Sequence, residues 1–173
     1  MGGTPVGQDE LYEQVRVEFG RAIERLASGY VPDLERRRDL VQDIHLAVWL
    51  SLKTFNWRCS LRTWVYRVAH NTAVSRIIRR REHGPSFVDL EDLIDDPTHQ
   101  NPTDAVDHTL TLAALVERIQ ALRPLDRQII MLYLEELDAA SIGEIVGMSA
   151  GNVATRIHRI KKALSQRLTG GRP

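Results

Sequence analysis

Ser149–Arg167 reads SAGNVATRIHRIKKALSQR. Val153, Ile157, Ile160 and Leu164 recur at the spacing of one helix face, so the stretch predicts an amphipathic helix with that face turned to a core. Asn152, Thr155, Arg156, Arg159 and Lys162 fall on the other side. Ser149 is placed to cap the start, because its hydroxyl can accept a bond from a backbone N–H that has no helical partner. Immediately upstream, AASIGEIVG (Ala139–Gly147) is a short apolar-periodic helix closed by a glycine. A short helix, a tight glycine turn and a second helix with a basic outer face form the helix-turn-helix pattern. Arg, Asn and Thr on such a second helix can reach base edges or phosphates in a major groove. A solvated basic face is the plainer reading of two helices standing alone, and the rest of the chain decides between them.

The 173 residues carry no net formal charge, yet the charges are strongly segregated. Residues 36–82 hold eleven bases against three acids, residues 83–111 hold seven acids and no Lys or Arg, and residues 112–173 hold nine bases against six acids. Two basic blocks separated by an acidic one suggest two nucleic-acid-facing modules, since the local field and not the total steers a polyanion. Cys59 is alone, which excludes an intramolecular disulfide and fits a cytoplasmic setting. No apolar run approaches the ~20 residues of a membrane span, and the N-terminus lacks the basic and apolar segments of a secretory signal. Membrane insertion is therefore not expected. A lone cysteine and no paired histidines at ligand spacing predict no metal site and no cofactor.

Nearly every periodic segment is helical. Leu11, Val15, Phe19, Ala22, Ile23 and Leu26 mark a first helix. Leu40, Val41, Ile44, Ala47, Val48 and Leu52 mark a second. Leu61, Trp64, Val65, Val68 and Ala69 open a third, with Ser60 as its cap and the arginine tract Arg76, Arg79, Arg80, Arg81 at its end. Residues 83–103 hold three prolines and many acids and read as a linker. A new helical pattern begins at Asp104, and Pro124 opens a short apolar helix, Leu125–Leu134. The expected fold is all-α: a domain over 1–82, an acidic linker over 83–103, and a helix-turn-helix domain over 104–173.

A second constellation lies between Thr54 and Arg81. Phe55, Trp57, Trp64 and Tyr66 stand amid Arg58, Arg62, Arg67, His70 and Asn71. Aromatic faces stack on unpaired bases for ~1–3 kcal/mol each, arginines neutralise phosphate, and Asn can bond a base edge. That mixture suits opened DNA better than intact duplex. Trp64 shares the apolar stripe of Leu61 and Val68 and is expected in the core, whereas Phe55 and Trp57 sit on a short loop.

At this point a resemblance becomes specific. DLVQDIHLAVW (Asp39–Trp49), FNWRCSLRTWVYRVAHN (Phe55–Asn71) and the following arginines resemble the second conserved region of bacterial sigma factors. LRPLDRQIIMLYLEELDAASIGEIVGMSAGNVATRIHRIKKAL (Leu122–Leu164) resembles the fourth. With only an acidic connector between them, the layout is similar to that of extracytoplasmic-function (ECF) sigma factors from about residue 9 to 168. The resemblance implies binding to RNA polymerase core, promoter recognition and strand opening, with no catalysis by the chain itself. It implies that Asp39, Gln42 and Asp43 contact polymerase, and that Phe55 and Asn71 shape a pocket for a flipped −10 base, with Trp57, Arg76, Arg79 and Arg80 nearby. Base extrusion costs a few kcal/mol, which such a pocket must offset. In the fourth region it implies that Thr155, His158 and Arg159 read the −35 element while Arg156 meets the DNA backbone; Asn152, on the same face as Thr155 and Arg159, joins the −35 set by its position on the helix. It also implies an anti-sigma partner and a linker threaded through the cationic RNA exit path. The chain departs from the family pattern at Ser75, Ile78 and Ala154, where acidic, Arg and basic residues are common, and at His45, which replaces a usual aromatic.

Two other functions compete. A one-component regulator would join the helix-turn-helix to a dimerising bundle, but such a bundle needs neither the aromatic loop nor the DLVQD segment. A nucleic-acid enzyme would need a carboxylate cluster, a nucleophile–base pair or a phosphate-cradling loop, and none is apparent.

Overall fold

The computed structural model describes residues 7–80 and 108–166, with side chains over 7–78 and 112–165. The chain divides into two compact units, Met1–Gly84 and Pro85–Pro173. All regular elements among the described residues are helices. Residues 83–103, read above as a linker, lie outside the described residues, as do the expected helix start at Asp104 and the side chains of Arg79 and Arg80.

The first unit is a three-helix bundle. Helix α1 (Gln8–Tyr30) begins with Asp9 and Glu10, whose charges suit the positive end of the helix dipole. It ends just before Val31-Pro32, where the proline ring disfavours helical geometry in the residue ahead of it. Helix α2 (Leu34–Ser51) is capped by Asp33, whose Oδ1 accepts the Arg36 N–H at 2.9 Å. A 3-10 turn (Leu52–Thr54) and the loop through Ser60 lead to α3 (Leu61–Arg80). Ser60 caps α3 as its position predicts, its Oγ accepting the Thr63 N–H at 3.0 Å. Each helix packs on the other two.

The core is the one that helical periodicity marks: Val15, Ile23 and Leu26 of α1, Leu40, Ile44 and Val48 of α2, Val65, Ala69 and Ala73 of α3, all buried. Full burial of such side chains is worth ~1.5–3 kcal/mol each for the larger ones. Into this apolar setting α3 inserts His70, whose Nδ1 shares a 2.9 Å hydrogen bond with the Tyr30 hydroxyl. Burial pushes the His70 imidazole down to about 3, so it is neutral at ordinary pH.

The second unit holds α4 (His108–Ala121), α5 (Pro124–Leu134), α6 (Ala139–Val146) and α7 (Ala150–Gln166). Pro124 takes the first turn of α5, where its missing N–H has no helical partner to lose. Arg127 is buried, and its guanidinium donates to the carbonyls of Gln120 and Leu122 (2.9 Å for the latter). Its charge thereby satisfies carbonyls at the negative end of α4.

Helices α6 and α7 make the helix-turn-helix. Asp138 caps α6, accepting the Ser141 N–H at 2.7 Å. Gly147 ends it in the left-handed region (φ 75°), a conformation that costs glycine nothing. Gly143 has a different reason to be glycine: a Cβ there would stand 2.5 Å from the backbone oxygen of Met148. The turn closes directly over that bare Cα, with the Gly143 carbonyl accepting both the Gly147 and Met148 N–H groups at 2.9 and 3.0 Å. Ser149 then caps α7, accepting the Asn152 N–H at 3.3 Å.

Candidate polymerase and promoter interfaces

On α7 the two faces separate as the spacing predicts. Val153, Ile157, Ile160 and Leu164 are buried, while Asn152, Thr155, His158, Arg159 and Lys162 are exposed. Asn152, Thr155 and Arg159 follow one another at three and four residues and so share a face. The Thr155 hydroxyl donates back to the Gly151 carbonyl at 3.0 Å, which uses its proton and leaves its oxygen able to accept.

Arg156 behaves differently from its neighbours. It is half-buried, and its Nη1 lies 3.1 Å from Oδ1 of Asp126, a carboxylate only 5% exposed at the start of α5. The residue assigned by resemblance to the DNA backbone therefore has a structural engagement that joins α7 to α5. Spacing gave no hint of Asp126, which sits thirty residues away in sequence.

In the first unit the aromatic residues differ in exposure and packing. Phe55 packs against Trp57 and Trp64, with ring centroids 4.7 and 5.4 Å apart. Trp64 is anchored from the bundle side, its indole N–H donating to Ser51 Oγ at 2.9 Å. Trp57 is 62% exposed and adopts φ 60°, a strained geometry for a bulky residue. Strain of this kind persists only where the surroundings enforce it, and it gathers at functional sites. Tyr66, grouped with these aromatics by sequence, turns inward instead: it is buried edge-on against Phe19, with 6.2 Å between centroids. His70 likewise belongs to the core.

Asn71 is exposed two helical turns beyond Trp64 on α3. It lines an open cleft of about 820 Å³ between α3 and α2, together with Asp39, Gln42, Asp43, Thr72, Ser75 and Arg76. The polymerase set and part of the −10 set, distant in sequence, thus share one groove. Arg76 bridges it, Nη1 pairing with Asp43 and Nη2 lying 3.4 Å from Asp39 Oδ2. Sequence reading also missed that Leu46 and Leu50 are 58% and 49% exposed. They extend the face of Asp39 and Asp43 along α2, since positions 39, 43, 46 and 50 fall in line.

Comparison with known proteins decides the family. Residues 17–83 match the family description Sigma-70 region 2, and residues 112–164 match Sigma-70, region 4. The chain belongs to the sigma-70 family. It is an ECF sigma factor, a DNA-binding initiation factor that binds RNA polymerase core and directs promoter recognition. Among similar proteins, the RNA polymerase sigma factor YlaC of Bacillus subtilis is 26% identical over 140 residues, covering 80% of this chain and 81% of the relative. The ECF RNA polymerase sigma factor SigW of the same species is 25% identical over 174 residues, covering 94% and 91%. Among solved structures, CnrH in complex with the cytosolic domain of CnrY superposes with a TM-score of 0.69 at 21% identity, covering 96% of this chain and 92% of that one. The sigma factor RpoE of Bartonella quintana, in complex with the anti-sigma factor NepR, gives 0.68 at 18% identity, covering 93% and 98%.

Within this sigma factor, region 2 embraces the cleft and the aromatic loop, and region 4 ends with α7. Sequence reasoning missed two packing residues, Asp126 and Gly143, and the exposed Leu46 and Leu50 beside the cleft. Only Gly143 carried a local signal, since a glycine inside a helical pattern marks close backbone approach.

Proposed function

We propose that the exposed face of α7 reads the −35 element through Asn152, Thr155, His158 and Arg159. The observation that carries this reading is the separation of faces on α7 beside a glycine-locked turn. That arrangement leaves a polar, basic surface held rigidly by a buried apolar one. In the first unit, Phe55, Trp57 and Asn71 engage the opened −10 strand, with Arg79 and Arg80 following at the end of α3. The exposed line of α2, with Asp39, Gln42, Asp43, Leu46 and Leu50, docks on polymerase core. Acid beside exposed leucine suits a partner surface that offers cations around an apolar centre.

The chain works in the cytoplasm, without catalysis of its own, through two DNA-binding domains joined by the acidic segment 83–103, which takes the RNA exit path. An anti-sigma factor holds it in reserve; the sigma factor RpoE seated with the anti-sigma factor NepR, and CnrH seated with the cytosolic domain of CnrY, support that reading.

The test is run-off transcription by core polymerase over a promoter library, with and without the chain. Arg159→Ala should weaken −35 recognition by about ten- to a hundred-fold and relax preference at one or two base pairs, the worth of a bidentate Arg–guanine contact. Arg159→Lys should not restore it, because Lys lacks the planar fork. Unchanged affinity and unchanged preference in folded Arg159→Ala would remove α7 as the reader.

A further inference from the structure

Arg76 lies on the helix assigned to the −10 strand, yet its charge is spent on the face assigned to polymerase. Its side chain is 19% exposed and sits between two carboxylates that are far more open, Asp39 at 62% and Asp43 at 53%. Asp39 and Asp43 are four residues apart on α2, so without a cation between them they repel. Arg76 offsets that repulsion, and while it does so its guanidinium is withheld from any phosphate. The carboxylates remain reachable from outside. A carboxylate offers about four lone-pair positions, and each half-exposed Asp presents unused ones to solvent. An incoming cation can therefore compete for the oxygens that hold Arg76.

We infer that Arg76 is an exchangeable cation: polymerase cations docking on Asp39 and Asp43 release it to the phosphate backbone of the opened DNA strand. Arg76 thereby links polymerase docking to strand binding within one cleft. The inference rests on the proposed docking of α2 on polymerase. By linkage, whatever loosens the carboxylate grip must raise strand affinity, and strand binding must in turn strengthen docking by the same factor.

The experiment uses the full chain, a fluorescent random-sequence single-stranded 12-mer at low salt, and a double-mutant cycle. A random pool suffices because a phosphate contact carries no sequence information. The Asp39→Asn/Asp43→Asn pair should raise affinity, and Arg76→Ala should cost less in the wild-type background, where the guanidinium is held by the two carboxylates, than on that pair. Arg76→Ala placed on that pair should then cost about five- to ten-fold and flatten the salt slope by about 0.7, the counterion released by one single-strand phosphate. In parallel, binding of each variant to core polymerase is measured by competition.

Weakened core binding by the Asp pair together with a background-dependent Arg76 effect supports the exchange. Weakened core binding with an Arg76 effect equal in both backgrounds overturns the exchange and leaves the docking reading standing. Unchanged core binding by the Asp pair overturns the docking reading, and the exchange with it. Circular dichroism of Arg76→Ala and of Arg76→Gln guards against misfolding, and the cycle is repeated with Arg76→Gln.

Discussion

Removing the Arg156 guanidinium should destabilise the second unit before it affects DNA binding. Arg156 Nη1 and Asp126 Oδ1 are 3.1 Å apart, and the Asp126 side chain is 5% exposed. Deleting one partner of a fully buried pair costs ~3–5 kcal/mol, because the other charge stays in a poorly solvating site. Arg156 is 33% exposed, so water already screens its end of the pair and can enter when it is gone. About 2 kcal/mol is therefore expected for Arg156→Ala. The loss should be local. Trp49, Trp57 and Trp64, the three tryptophans of the chain, all lie in the first unit, so tryptophan fluorescence follows that unit alone. Native-state hydrogen exchange of the Ile129–Leu132 and Val153–Ile160 amides reads the second. Protection there should fall by about thirty-fold, the equivalent of ~2 kcal/mol, while the fluorescence midpoint in urea stays put. Replacing Asp126 by Asn in the same chain should recover part of the loss, since a neutral amide tolerates the site better than a carboxylate lacking this cation. If Arg156→Ala leaves exchange within two-fold of wild type, the pair does not hold α7 to α5 and the reasoning is wrong. If the salt slope for duplex binding also drops by about one while protection is intact, Arg156 serves phosphate alone.

Three further outcomes are expected. Acidification from pH 7 to 5.5 should cost the first unit about 1 kcal/mol through His70: the unfolded imidazole takes up a proton below its ordinary value of 6.5, while the folded one, held at about 3, does not. His45 is lowered too, chiefly by burial, and adds in the same direction. Tryptophan-monitored urea unfolding measures this, and a His70→Gln variant whose pH slope equals that of wild type would contradict it. Gly143→Ala should destabilise the second unit by ~1–3 kcal/mol and weaken −35 binding, since the methyl meets a backbone oxygen that cannot move aside as a side chain would. The ordinary gain in helix propensity, ~1 kcal/mol, should be overrun, and a raised melting temperature would show that the turn relaxes freely. Phe55→Ala and Asn71→Ala should spare polymerase binding and duplex −35 binding but impair open-complex formation, read by permanganate footprinting, with partial rescue on a pre-melted template; retained polymerase binding separates this from loss of fold.

The sequence by itself determined the elements, their faces and the family. Val153, Ile157, Ile160 and Leu164 are buried because a helix repeats every 3.6 residues whatever it packs against, so spacing alone assigns the inward side. Ser60 and Ser149 cap the helices that they precede, since capping is settled within one turn of chain. The partners of the charged and polar side chains were decided only by the tertiary structure. Arg76 meets Asp43 and Asp39 across 33 and 37 residues, and Tyr30 meets His70 across 40. Arg156 reads as surface from its spacing, and becomes half-buried because α5 brings Asp126 against α7. Periodicity carries information over a few residues and is silent about which helix faces which. A charged side chain on the rim between two helices is therefore solvent-facing or paired according to packing that no local pattern records.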